Sequence, residues 1–72
     1  MINDQFIIVC YVNNQINWVK KYHSLTALDK NWKYYMSFFP DAGWSGEQSL
    51  LVYQVFEDSK QLIIVREKHG KV

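Results

Sequence analysis

Few side chains in this chain stand at the spacings that chemistry requires. The two histidines, His23 and His69, fall at a strand end and in a polar tail. Neither has a second His or Cys at the separation a tetrahedral zinc site needs. Cys10 is the only cysteine, so no intrachain disulfide and no thiolate metal cluster can form. That usage suits a reducing compartment. Cys10 lies mid-strand between Val9 and Tyr11, where a thiol behaves as a small, inert hydrophobe. Asp41 and Glu47 flank Trp44 and could approach each other, but paired carboxylates in a loop are ordinarily just solvated. The segment AGWSGEQ has the wrong spacing for a phosphate-cradling loop, and no lysine follows it. A nuclease-like site on Arg66, His69 and nearby lysines would need an ordered C-terminal tail, and that tail reads as frayed. The expectation is no catalysis, no metal and no cofactor.

Binding chemistry is better represented. Lys20, Lys21, Lys30 and Lys33 are interleaved with Trp18, Tyr22 and Tyr34, the combination that single-strand binders use. Tyr11 and Tyr53 could stack bases on a sheet face, although no RNP-type motif accompanies them. Against nucleic acid stand a net charge of only +1 and the acids Asp41, Glu47, Glu57 and Asp58. The same lysines are equally read as a solvated helix face with snorkelling stems. Tyr34 and Phe38 lie one helical turn apart, off the core stripe. Trp44 sits in the adjoining glycine-bearing loop, FFPDAGWSGEQ. Together they predict an aromatic cluster at one end of the molecule. Trp and Tyr dominate interface energetics because they bury large area at small entropic cost. The plainer reading is that Phe38 and Trp44 staple the helix end to the sheet. Gly43 and Gly46 flank Trp44, while Asp41, Ser45, Glu47 and Gln48 prefer water. These neighbours favour a ring presented outward as an anchor.

The elements that must position these groups are legible in outline. The chain has 72 residues, is 49% hydrophobic and 17% aromatic, and is read as one compact domain over 1–72. A chain this short buries only ~60% of its unfolded surface, so a rich apolar content is what lets it fold. Phe6 to Val12 reads as a buried strand. Asn13-Asn14 makes a tight turn, since asparagine tolerates the left-handed conformation. The return strand, 15–22, should place Ile16, Trp18 and Tyr22 on one face and Asn17, Val19 and Lys21 on the other. Ser24 or Thr26 can cap a helix, with Asp29 near its start to complement the dipole. Leu25, Leu28, Trp32, Tyr35, Met36 and Phe39 form its apolar stripe. Pro40 is expected to end it. Strands follow at 49–57 and 61–67, joined by a turn over 57–60, and 67–72 is expected to fray. The fold class predicted is α+β: ββαββ, a four-stranded, mostly antiparallel sheet with one helix packed on one face.

That architecture creates a surplus. One helix covers one sheet face, yet most of the strands are apolar on both. Ile7, Val9, Tyr11, Leu51, Tyr53, Val55, Ile63 and Val65 are expected on the uncovered side, opposite Leu62 and Ile64. Monomers rarely expose contiguous apolar patches beyond a few hundred Å². Either the sheet curls and the glycine loop closes over it, or another protein surface covers it. The second is the reading adopted. It predicts a non-catalytic protein-binding module, of the small inhibitor or regulator kind found in phages and mobile elements, that masks a partner's surface. Trp44, Tyr34, Phe38, Tyr53, Val55 and Ile63 are its candidate contacts. A homodimer through the sheet face is one form this could take. The alternative is a binder of RNA or single-stranded DNA using Lys20, Lys21, Lys30 and Lys33. The opening MINDQFIIVCYV lacks the basic n-region and apolar length of a signal peptide. Its apolar run is far shorter than the ~20 residues a spanning helix needs. No membrane association and a cytoplasmic location are therefore expected.

Overall fold

The computed structural model describes residues 5–56 and 58–72. Along the chain run β1 (Gln5–Val12), β2 (Gln15–Tyr22), the helix α1 (Leu25–Met36), β3 (Glu47–Phe56) and β4 (Gln61–Lys71). The four strands make one open sheet in the order β2-β1-β3-β4, with every neighbouring pair antiparallel. The fold is thus α+β with the order ββαββ. Asn13 and Asn14, at φ 52° and 67°, turn β1 into β2. This is the double left-handed turn whose twist matches a hairpin. Asp58 to Lys60 form the turn into β4, while Glu57, expected to begin it, lies outside the described residues.

Ser24 is the residue that caps the helix: its Oγ accepts the Ala27 N–H at 3.1 Å. Asp29 takes no part in capping and instead pairs with Arg66 of β4. Leu28 and Tyr35 are buried on Ile8, Cys10, Leu50 and Val52, with Trp32, Met36 and Phe39 packed around them. Leu25, part of the same sequence stripe, remains 53% exposed. The helix stops at Met36, short of Pro40. At that point the Ser37 hydroxyl donates to the Tyr34 carbonyl at 2.6 Å, and the Ser37 N–H is shared between the carbonyls of Lys33 and Tyr34. A short hydroxyl side chain that competes for last-turn carbonyls ends a helix without help from proline.

Residues directly opposite in an antiparallel sheet share a face, so the register sorts every side chain. On the face away from α1, one row runs Lys21, Ile7, Tyr53, Ile64, and the next runs Val19, Val9, Leu51, Glu67. A third row is Ile16, Tyr11, Ser49, His69, and Gln5, Val55 and Leu62 complete the other end. Two irregularities correct the expected faces. The register shifts between Cys10 and Tyr11, leaving Asn17 as an extra residue and turning Ile16 away from Trp18 onto the far face. It shifts again between Val52 and Tyr53, where Val65 is extra. Ile63 therefore lies opposite Gln54, on the helix side, while Leu62 and Ile64 join Tyr53 and Val55. One inserted residue reverses the parity of everything beyond it.

The tail is also not as expected. Residues 67–71 continue β4, with Lys71 opposite Glu47. Val72 and Gly46 exchange N–H and carbonyl bonds at 3.0 Å each. The ladder with β3 supplies the order that the tail's polar side chains do not announce. Gly70 has a packing reason: a Cβ there would stand 2.9 Å from Phe39 Cε1 and 3.2 Å from Pro40 Cβ.

Candidate functional site

The loop that carries Trp44 is held by a residue that looks like a solvent-facing one. Gln48 is only 2% exposed. Its Oε1 accepts the Asp41 N–H at 2.8 Å, and its Nε2 donates to the carbonyls of Asp41 and Trp44 at 2.7 and 2.8 Å. One amide thus satisfies three backbone groups of the loop. Asn13, from the hairpin turn, grips the other side: its Oδ1 accepts the Glu47 N–H and its Nδ2 donates to the Ser45 carbonyl. Gly46, at φ 106°, runs so close to the Asn13 amide that a Cβ would overlap it. The loop is therefore fixed, and the freedom expected from its glycines is used to fit it against Asn13.

This loop lies on the helix side of the sheet. Trp44 and Phe38 form the rim of a cavity of about 30 Å³ floored by Cys10, Tyr35 and Leu50. That is room for about two waters and too small for a ligand. Trp44 is 47% exposed, Phe38 43% and Tyr34 63%. The Tyr34 and Phe38 rings meet edge-on with centroids 5.2 Å apart, and each also touches Tyr35, at 5.4 and 6.1 Å. Tyr34 and Phe38 are brought together even though Phe38 lies beyond the helix end. Trp44 is half seated, neither a buried plug nor a free arm. A second, polar aromatic cluster lies alongside. The Lys20 Nζ stands 5.6 Å from the Trp18 ring and 5.7 Å from that of Tyr35. A hydrogen bond to Tyr35 raises the Lys20 ammonium above its ordinary range. Burial first, and a hydrogen bond with Tyr35 second, push the Tyr22 phenol up to about 12.

The Tyr22 shift has a measurable sign. The folded chain keeps this proton at a pH where an unfolded tyrosine, near pH 10, has lost it. Its contribution to stability is complete below pH ~10 and drains away as pH climbs towards the folded value. Urea midpoints taken at pH 9 and pH 11.5 should therefore fall further in the parent than in Tyr22→Phe. Parallel falls would show that Tyr22 titrates as it does in the unfolded chain.

The far face is the other candidate surface, and it holds Tyr53 and Val55 but not Ile63. Helix and loop both lie on the opposite side. Ile16 is 62% exposed, Leu62 60%, Val19 48% and Ile64 47%. The Tyr53 phenol, raised chiefly by its hydrogen bond with Tyr11, reaches towards that residue across the row of Val9 and Leu51. Val9 beneath is buried.

The lysines do not share one surface. Lys20 lies opposite Ile8 on the helix side and Lys21 opposite Ile7 on the far side. Lys30 and Lys33 are exposed on α1. Arg66 and His69 likewise face opposite ways, Arg66 under α1 against Asp29 and Trp32, so the nuclease-like grouping is not assembled. Burial pushes the Cys10 thiol up, which leaves little nucleophilic thiolate. One grouping the sequence does not announce is Ser49, His69 and Glu67. The Ser49 Oγ is 2.8 Å from His69 Nδ1, and His69 Nε2 is 3.2 Å from Glu67 Oε1. The order resembles a nucleophile, base and orienting acid, and only the β3–β4 register reveals it. The His69 and Glu67 side chains are, however, more than half exposed. The backbone groups of β3 are engaged in ladders on both sides, so no oxyanion donors converge on Ser49. It is a polar cross-strand row.

Among the described residues, no group of three or more His, Cys, Asp or Glu is placed to hold a metal ion. No helix among them is long and apolar enough to cross a membrane. Comparison with known protein families, with characterised proteins and with solved structures finds no match.

Proposed function

We propose that the chain is a non-catalytic protein-binding module, a small inhibitor or regulator of the phage or mobile-element kind, that acts by covering a partner's surface. The observation that supports this is the far sheet face, apolar across all four strands and left bare by helix and loop. Faces of this extent mark interaction sites. The aromatic end adds a second contact of hot-spot composition. Its loop is already ordered by Gln48 and Asn13, so presenting Trp44 costs little entropy on binding. The lone thiol fits a reducing compartment, and a cytoplasmic location belongs to the same proposal.

Leu62 and Ile64 are exposed enough for Leu62→Asp/Ile64→Asp to spare the fold. Capture on the tagged chain, from host extract that also holds the untagged chain, should retain a protein, either a second copy or another, on the parent and lose it on this double variant, with both melting alike. Equal capture would remove the sheet face from the function. The runner-up reading, RNA or single-stranded DNA on Lys20, Lys21, Lys30 and Lys33, draws less support because Lys20 and Lys21 diverge. Titrating salt against a labelled single strand addresses it, since phosphate-driven complexes weaken steeply with salt. Tight binding at low salt that fades in this way would install the runner-up.

Trp44→Ala bears on the aromatic end. A half-exposed ring should cost ~1–2 kcal/mol on removal, below the ~3–5 kcal/mol of a fully buried aromatic. Partner affinity should fall by ~2 kcal/mol or more. A collapse of the melting temperature before any partner is added would make Trp44 a core residue.

A further inference from the structure

We infer that the occupant of the bare sheet face is a second copy of this chain, packed sheet to sheet about a twofold axis that runs along the strands. This rests on the reading of that face as a docking surface and names what docks there.

Area is the first argument. Four strands at ~4.8 Å spacing and four side-chain rows ~6.8 Å apart give a footprint of roughly 500 Å² per copy. The pair then buries about 1,000 Å², the lower bound for a specific interface. A single helix or extended peptide would leave much of such a flat face uncovered. A second sheet of the same width, ~10 Å away and rotated by about 30°, covers it whole.

The polar atoms of the face are the second argument. The centre of the face is Val9 and Leu51, with Tyr53 in the row on one side and Tyr11 in the row on the other, and the Tyr53 phenol interacting with Tyr11. Each phenol thus meets the other before anything docks, and covering the pair leaves one O–H to find an acceptor on the second sheet, fewer than two isolated phenols would leave.

The layout of charge is the third argument, and it selects the axis. Lys21 stands at the β2 margin in the row of Ile64, and Glu67 at the β4 margin one row on. A twofold along the strands lays β2 of one copy over β4 of the other. Lys21 then falls beside Glu67 of the second copy, and symmetry repeats the pair. A twofold across the strands would stack β2 on β2 and β4 on β4. Both lysines would gather at one margin and both glutamates at the other. Rim charges add little affinity but decide orientation, because like charges exclude the wrong arrangement.

Sedimentation of the full chain between roughly 1 and 200 μM, a range in which weak interfaces of this size dissociate, tests the inference. The parent should be a dimer, and Ile64→Asp a folded monomer. Lys21→Glu and Glu67→Lys should each weaken dimerisation about tenfold, and the double exchange should restore it. A dimer that survives Ile64→Asp, or singles that the double exchange does not rescue, would overturn the proposed packing. A parent that stays monomeric throughout overturns the second copy as occupant. In that case an apolar dye decides the rest. Bright dye binding that Ile64→Asp reduces leaves the face as a docking surface for a different protein. No dye binding, with slow amide exchange in the rows of Leu51 and Tyr53, would remove the docking surface as well.

Discussion

Leu28→Ala is expected to lose ~3–5 kcal/mol of folding free energy, the upper part of the range for a buried leucine. Leu28 is fully buried and presses the only helix of the described residues onto Ile8, Cys10, Leu50 and Val52. Little else on α1 is comparable, because only Tyr35 joins it among the helix's buried residues. The hole left behind has no easy collapse. Its floor is four side chains on two strands that are each hydrogen-bonded on both edges. Domains hold about 5–15 kcal/mol in total, and a chain of this size sits low in that range. The variant should therefore be largely unfolded or loosely packed at body temperature. Urea midpoints together with near-ultraviolet circular dichroism would record it. Leu25→Ala is the control: the same residue type, one helical turn earlier and more than half exposed, should change stability by less than ~0.5 kcal/mol. If the two variants unfold at similar urea concentrations, α1 is not anchored through Leu28.

That pair also shows what the sequence could and could not reveal. A stripe at helical spacing marks which residues share a face, but its width does not say how much of the face is covered. Leu25 extends past the sheet and Leu28 does not. The hairpin at Asn13-Asn14, a helix cap at Ser24 or Thr26 and the order of elements were readable because each depends on local chemistry within a few residues, although only the structure chooses Ser24. The faces beyond the two bulges were not. Asn17 and Val65 are ordinary strand residues, and nothing in their type marks them as extra. Counting by twos past them sends Ile16 under the helix and Ile63 beside Tyr53, the reverse of what the register shows. The strand over 67–71 was hidden for a different reason. It is polar on both faces and held by backbone pairing to β3, which leaves no alternation to see. The aromatic end was readable in its members, since Tyr34, Phe38 and Trp44 are large and close in sequence. Its support was not.

That support is Gln48, and Gln48→Met should lose ~2–4 kcal/mol. Methionine nearly conserves the volume, so the change removes hydrogen bonds without opening a cavity. Three backbone groups, the Asp41 N–H and the carbonyls of Asp41 and Trp44, lose their side-chain partner at once. A buried polar group left unpaired costs ~1–3 kcal/mol. The Asp41 carbonyl retains the Trp44 N–H at 3.1 Å, so two groups are fully orphaned, which sets the magnitude. The loop can recover those bonds only by opening to water. Opening would carry Trp44 off Cys10 and Tyr35. The expected signature is then twofold: a lower urea midpoint, and tryptophan emission shifted to the red with easier quenching by acrylamide. Because Trp18 and Trp32 also emit, the comparison is made in a Trp44→Phe background, where the red shift should vanish while the stability loss remains. Gln48→Glu separates hydrogen bonding from shape. It keeps an acceptor for the Asp41 N–H but sets a carboxylate against two carbonyls, and should be at least as damaging as Met at neutral pH. Should Gln48→Met unfold at the parent's urea concentration with unshifted emission, the loop is held by Asn13 and Gly46 alone, and Trp44 owes its position to them.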